Sequence, residues 1–66
     1  MKINSEYVDI NDLPVHTVAG LISFYKLNPQ HVAVDLNGVI LKLSKYSDTK
    51  ITETDTIELI HFVGGG

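Results

Sequence analysis

The residues of this 66-residue chain that most clearly suggest chemistry are its last three, Gly64-Gly65-Gly66. Glycine has no Cβ, so a run of glycines enters a narrow cleft and adopts positive φ angles without strain. The α-carboxylate of Gly66 would therefore be presented on a stalk without side chains to the active site of another protein. The competing interpretation is an inert end, since terminal residues are commonly disordered.

The other reactive side chains of the chain suggest no site of their own. There is no cysteine, which excludes a disulfide, a thiolate metal site and a cysteine nucleophile. His16, His31 and His61 are far apart and match no metal-ligand spacing. The hydroxyl, carboxylate and imidazole groups form no recognisable pair of base and nucleophile. We therefore expect a protein that is not an enzyme and that binds no metal or cofactor.

Composition narrows the class of partner. Eight acidic and five basic residues give a formal net charge of −3, which argues against nucleic-acid binding and fits docking on a basic protein surface. No apolar run approaches ~20 residues and no signal peptide is visible, so we expect a cytoplasmic protein that does not enter a membrane. The length predicts one domain, residues 1–63, with residues 64–66 as a flexible tail.

The first part of the chain predicts a β-hairpin. Residues 1–3 and 7–10 have the alternation of short strands, and Asn4-Ser5 between them is a candidate tight turn because Asn tolerates positive φ.

A helix is predicted after this hairpin. Thr17 is a suitable N-cap, and Asn28-Pro29 is the predicted stop. Gly20 would allow the helix to pack closely on a sheet. One apolar stripe has the i, i+3, i+4, i+7 spacing: Val18, Leu21, Ile22 and Tyr25.

The second half of the chain predicts another hairpin and a final strand. Residues 31–37 and 39–43 flank Asn37-Gly38, the strongest hairpin turn in the sequence. Tyr46 would cover the edge of the core, Ile51 would anchor the connection, and residues 56–63 would form the last strand. Antiparallel pairing needs only a hairpin, whereas parallel pairing requires a crossover connection. We therefore expect a mixed sheet in which the last strand pairs beside the first, in parallel. The prediction is an α+β, β-grasp (ubiquitin-like) fold, with a mixed sheet wrapped around one helix.

The last strand also predicts a docking surface. Ile57, Leu59 and His61 share one face, which should face the helix, with His61 at the rim of the core. The opposite face would leave Ile60 and Phe62 exposed beside the glycines, and exposed apolar pairs mark partner surfaces. The candidate partner-binding residues are Glu58, Ile60, Phe62, Val63, Gly64 and Gly65.

The sequence resembles the ThiS family, the sulfur carriers of thiamine thiazole synthesis, over essentially its whole length. The resemblance rests on Met1-Lys2-Ile3, Val32-Ala33-Val34 with Asn37-Gly38, Asp55-Thr56-Ile57-Glu58 and Val63-Gly64-Gly65-Gly66. It implies a β-grasp fold and a Gly66 carboxylate that is adenylated by an ATP-dependent, ubiquitin-activating-like enzyme (ThiF). A sulfur donor protein then supplies the sulfur of a thiocarboxylate, and thiazole synthase (ThiG) takes that sulfur. ATP is used by the activating partner.

The sequence also departs from the family pattern. Val39-Ile40-Leu41-Lys42-Leu43 stands where the family often has Glu-Ile-Val-Pro-Arg, and Tyr46 stands where Trp is common. Thr54-Asp55 replaces Gly-Asp, and Asn4-Ser5 replaces Asn-Gly. These positions concern scaffold and partner pairing more than carrier chemistry.

Three alternatives remain open from the sequence. A MoaD-like sulfur carrier for molybdopterin shares the fold, although its tail more often reads Pro-Pro-x-x-Gly-Gly and its chain is usually longer. A ubiquitin-like modifier would be conjugated to lysines. A plain interaction module would have an inert tail.

Overall fold

The computed structural model of the chain describes residues 1–62, which form a five-stranded sheet against one α-helix. The sheet order is β2-β1-β5-β3-β4; β1 pairs with β5 in parallel, and the other neighbours are antiparallel. The β-grasp prediction is confirmed, including the parallel pairing of the last strand with the first. The strands are β1 (Lys2–Ile3), β2 (Glu6–Tyr7), β3 (Val32–Leu36), β4 (Val39–Ile40) and β5 (Thr56–His61). The helix α1 is Val18–Phe24, and 3-10 turns occupy Ile10–Asp12, Pro29–His31 and Leu43–Lys45.

Both predicted hairpin turns are present. Asn4 and Ser5 have φ angles of 49° and 73°, and Asn37 and Gly38 have φ angles of 52° and 89°. Two consecutive positive φ angles are typical of the type I′ turn, whose twist matches that of the flanking strands. The sequence signals for these turns are local, so both turns could be predicted without knowledge of the rest of the fold.

The returning strands are shorter than predicted. β2 stops at Tyr7 because the Asp9 side chain accepts a hydrogen bond of 2.9 Å from the Asn11 N–H and begins a 3-10 turn at Ile10. β4 ends at Ile40, before the 3-10 turn at Leu43–Lys45. The predicted strands 7–10 and 39–43 were therefore wrong beyond Tyr7 and beyond Ile40.

The helix begins as predicted but ends early. The Thr17 hydroxyl accepts a hydrogen bond of 3.0 Å from the Gly20 N–H. At the other end Lys26 has a φ of 57°, and the Lys26 and Leu27 N–H groups donate back to the Ser23 and Ile22 carbonyls, at 3.0 Å each. These two bonds define a Schellman motif. The helix therefore ends at Phe24 and not at Asn28-Pro29, and Asn28 instead caps the next 3-10 turn.

Gly20 packs against the loop before the helix. A Cβ atom at Gly20 would lie 2.5 Å from the Val15 carbonyl oxygen and 2.8 Å from the Val15 Cβ. The expected close packing of Gly20 on a sheet was wrong, because the tight contact is made by the chain segment that leads into the helix.

The core lies between α1 and one face of the sheet. Tyr46 and Ile51 are buried as expected, and the Tyr46 hydroxyl donates a hydrogen bond of 2.9 Å to the Val32 carbonyl. Tyr25 follows the last helical residue and is exposed, so its assignment to the buried stripe was wrong. The buried side chains are Met1, Ile3, Leu13, Val18, Leu21, Ile22, Val32, Val34, Tyr46, Ile51 and Ile57. Within residues 1–62 the helical segments are all too short or too polar to cross a bilayer.

Candidate functional site

The strand that leads toward the glycines, β5, is the central strand of the sheet. Its inner face follows the predicted alternation: Ile57 is fully buried, Leu59 is half-buried against the core, and His61 is exposed at the rim. The remaining side chains of β5 therefore project from the sheet face opposite the helix.

The outer face of β5 carries Glu58 and Ile60, and Phe62 follows with the same alternation. Ile60 is 52% exposed and Phe62 is 44% exposed. The Phe62 N–H donates a hydrogen bond of 3.0 Å to the His31 carbonyl, which extends the ladder between β5 and β3 by one pair. The predicted exposure of both apolar side chains is confirmed.

Two neighbouring strands add residues that the sequence reasoning missed. Ala33 lies opposite Ile60, and Asp35 lies opposite both Glu58 on one side and Ile40 on the other. Ile40 is 61% exposed and shares the outer face. The two-residue Asn37-Gly38 turn contained this information, because it sets the register that places Ile40 opposite Asp35. We call these residues the outer patch: Ala33, Asp35, Ile40, Glu58, Ile60 and Phe62.

The outer patch combines apolar side chains with two carboxylates. Asp35 is held by a hydrogen bond of 2.8 Å that its Oδ1 accepts from the Gly38 N–H. Glu58 lies directly across the ladder from Asp35, and like charges in this position repel each other. A basic group of a partner placed over this pair would relieve the repulsion. An apolar area of the same partner would cover Ile60 and Phe62.

The opposite edge of β5 is bonded by a side chain. Asn4 Oδ1 accepts a hydrogen bond of 2.7 Å from the Leu59 N–H, and Asn4 Nδ2 donates one of 3.2 Å to the Leu59 carbonyl. The strand is therefore held on both sides until shortly before the glycines.

An open groove of about 410 Å³ lies next to this contact. Its walls come from the first hairpin, from the residues after the helix and from β5, and they include Asn4, Glu6, Tyr25, Leu59 and His61. The groove is large enough to receive a side chain of a docked protein.

The remaining candidate residues can be placed as follows. Val63, Gly64, Gly65 and Gly66 lie outside the described residues. Among residues 1–62, no group of three or more His, Cys, Asp or Glu side chains is arranged to hold a metal ion.

Comparison with known proteins identifies relatives that point to the same family. The model of the ThiS family matches residues 1–66. The sulfur carrier protein ThiS of Bacillus subtilis (strain 168) is 36% identical over 50 residues, which are 76% of each chain. A thiazole synthase of Magnetococcus marinus is 36% identical over 50 residues, which are 76% of this chain and 15% of that protein.

Solved structures agree with these relatives. The crystal structure of the thiamine biosynthesis protein ThiS from Geobacter metallireducens has a TM-score of 0.79 and 27% identity, and the match covers 98% of this chain and 96% of that one. A solution structure of a thiamine biosynthesis protein from the same organism has a TM-score of 0.78 and 27% identity over 98% of this chain and 85% of that one.

Proposed function

Because the chain belongs to the ThiS family, we propose that it carries sulfur on the C-terminal carboxylate of Gly66. The chain is a sulfur carrier of thiamine biosynthesis and not an enzyme. The observation that best supports Gly66 as the site is the position of β5, a central strand whose exposed Ile60 and Phe62 directly precede Val63 and the glycines. In this proposal residues 1–63 are the folded carrier and residues 64–66 are the tail.

The chemistry requires activation of the carboxylate, which is a poor electrophile. The carboxylate attacks the α-phosphate of ATP in the active site of the activating enzyme, and pyrophosphate leaves. The resulting acyl adenylate has AMP as a good leaving group, so hydrosulfide displaces AMP and forms a thiocarboxylic acid. Loss of a proton gives the thiocarboxylate, which is nucleophilic in the way that a thiolate is.

Three partners follow from this sequence of steps: a ThiF-like adenylating enzyme, a sulfur donor protein and a ThiG-like thiazole synthase. The thiazole synthase of Magnetococcus marinus supports the last of these, because a segment similar to this chain occupies 15% of that protein. ATP is consumed by the activating partner, and a cytoplasmic location of the reaction is part of this proposal.

We assign the outer patch to docking on the activating enzyme. Ile60 and Phe62 are apolar anchors, and Glu58 lies beside them on the same face. Val63, Gly64 and Gly65 would thread into the cleft, and three extended residues span about 10 Å. The absence of side chains at Gly64 and Gly65 would let the cleft close around the backbone.

The proposal is tested by the intact mass of the chain after incubation with a ThiF-like enzyme, ATP and sulfide. We expect a gain equal to the exchange of one oxygen for sulfur, and we expect no gain after deletion of Gly66. The absence of any adduct, together with no ATP–pyrophosphate exchange, would refute the carrier assignment of Gly66.

Two substitutions separate docking from threading. Phe62→Asp should weaken binding to the activating enzyme by about tenfold or more, as loss of a central aromatic anchor does. Tyr7→Asp is the matched control, since Tyr7 is 85% exposed on β2, at the far edge of the sheet. Gly65→Val should block adenylation without changing the unfolding midpoint, and normal adenylation of that variant would contradict threading.

A further inference from the structure

Asn4 lies in a turn, yet its side chain completes the sheet. β1 ends at Ile3, and Asn4 has a φ of 49°, so the main chain turns away from β5 at this residue. The carboxamide nevertheless bonds Leu59, 55 residues further along the chain, at 2.7 Å and 3.2 Å. A carboxamide has the same donor and acceptor as a peptide group. It therefore takes the place of the next β1 residue.

The pairing pattern explains why Leu59 needs this partner. The last main-chain bond between the two strands is from the Asn4 N–H to the Ile57 carbonyl, at 3.0 Å. In the antiparallel ladder with β3, the residue pairs that exchange bonds include Ala33 with Ile60, and this ladder continues to the Phe62 N–H and the His31 carbonyl. The Leu59 N–H and carbonyl point to the β1 side, since bonding directions alternate along a strand.

The end of β5 is thus bonded at two points, one on either side of Ile60 and His61. Leu59 is bonded to Asn4 on one side, and Phe62 is bonded to the His31 carbonyl on the other. Without the carboxamide, β5 beyond Ile57 would be held only on the β3 side and could pivot about that ladder.

We propose that Asn4 is a positioning residue for the carrier reaction. Its carboxamide holds the end of β5 in the orientation in which residues 63–66 are delivered to the activating enzyme. This role rests on the proposed function, and Asn4 acts through β5 without touching the reacting carboxylate. Removing the carboxamide lowers the fraction of carrier in which the end of β5 has the competent orientation, and the apparent dissociation constant rises as that fraction falls.

The informative variant is Asn4→Gly. Glycine adopts the positive φ of this turn without strain, so the variant removes the carboxamide and keeps the turn. Ser5→Gly is the matched control, because it changes the neighbouring turn residue, with its φ of 73°, and keeps the carboxamide. Asn4→Asp retains an acceptor for the Leu59 N–H but loses the donor to the Leu59 carbonyl, and should lie between the native chain and Asn4→Gly.

The first measurement is amide hydrogen exchange in the isolated carrier. In Asn4→Gly, exchange at Leu59 should be about tenfold faster, in line with the loss of a hydrogen bond, while Ile60 on the β3 side stays within about twofold of native. Ser5→Gly should leave both rates unchanged. Native protection of Leu59 in Asn4→Gly would overturn the proposal.

The second measurement is ATP–pyrophosphate exchange as a function of carrier concentration, well below the unfolding temperature of every variant. Asn4→Gly should raise the KM for the carrier about tenfold and leave kcat within about twofold, because in bound complexes the end of β5 already has the competent orientation. A native chain that supports no exchange would refute the proposed function, and the role of Asn4 with it. A native chain that is active, with an Asn4→Gly variant of equal KM, would overturn the role of Asn4 alone.

Discussion

Gly20→Ala sets two opposing effects against each other at a position where the structure decides the outcome. Alanine raises helix propensity by about 1 kcal/mol over glycine. The added Cβ, however, would lie 2.5 Å from the Val15 carbonyl oxygen. The Cγ1 of the exposed Val15 side chain can turn away, but the Val15 Cβ and carbonyl oxygen can move only with the main chain.

The loop that carries this carbonyl is itself pinned. The His16 carbonyl accepts a hydrogen bond of 3.1 Å from the Ile51 N–H, and Thr17 forms a bridge with Lys50. Relief of the clash therefore strains main-chain bonds, and overpacking of this kind costs about 1–3 kcal/mol. Subtracting the gain in propensity leaves an expected loss of up to about 2 kcal/mol in the free energy of unfolding.

Urea unfolding of the native chain and of two variants measures this difference. Ser23→Ala is the matched control, because Ser23 is exposed in the same helix, and the change should stabilise by about 0.5 kcal/mol through propensity alone. If Gly20→Ala proves as stable as Ser23→Ala, the loop yields at no cost and the reasoning is refuted.

Three further substitutions test the turns and the core by urea unfolding. Lys26→Gly should stabilise by about 0.5–1 kcal/mol because Lys26 has a φ of 57°, and Lys26→Ala should give no such gain. Asn37→Gly also keeps a positive φ but should lose about 1–2 kcal/mol, because the side chain accepts from the Thr56 N–H at 2.8 Å and donates to Asp55 at 2.9 Å; a gain like that of Lys26→Gly would contradict this. Burial raises the pKa of Tyr46, so the folded state favours the neutral phenol. The stability from this preference is complete below pH ~10, where the unfolded phenol ionises, and is lost as pH rises toward the folded pKa. Tyr46→Phe should remove that part of the alkaline loss and cost about 1–2 kcal/mol near pH 7, and an unchanged alkaline slope would contradict the assignment.

Features with local causes were predictable from the sequence. The Asn4-Ser5 and Asn37-Gly38 turns and the Thr17 cap depend on the residue types at those positions, and all three are present. The helix stop was missed because Lys26 occupies the left-handed position where glycine is usual. The end of β2 was missed because the Asp9 side chain competes for the main chain.

The candidate site was predictable only along its own strand. Period-two alternation was enough to predict that Ile60 and Phe62 are exposed, because the helix covers only the other face of the sheet. Ile40 lies on the same face because of the register between β3 and β4. The two-residue turn implies that register, but the sequence prediction of the site did not use it. The bond from Asn4 to Leu59 needs the register of two strands that are distant in sequence, and no local pattern indicates it.

The parallel pairing of β1 with β5 has a consequence for the delivery of the tail. Parallel strands end on the same side of a sheet, so the turn after β1 lies at the end of β5 that leads toward the glycines. If the two strands were antiparallel, Met1 would lie there instead, and no turn side chain could reach Leu59. Parallel pairing requires a crossover, and here the crossover contains α1, which covers the inner face of β5. Parallel pairing therefore places Asn4 at the end of β5, and the helix in the crossover leaves the outer patch as the uncovered face that we propose for docking.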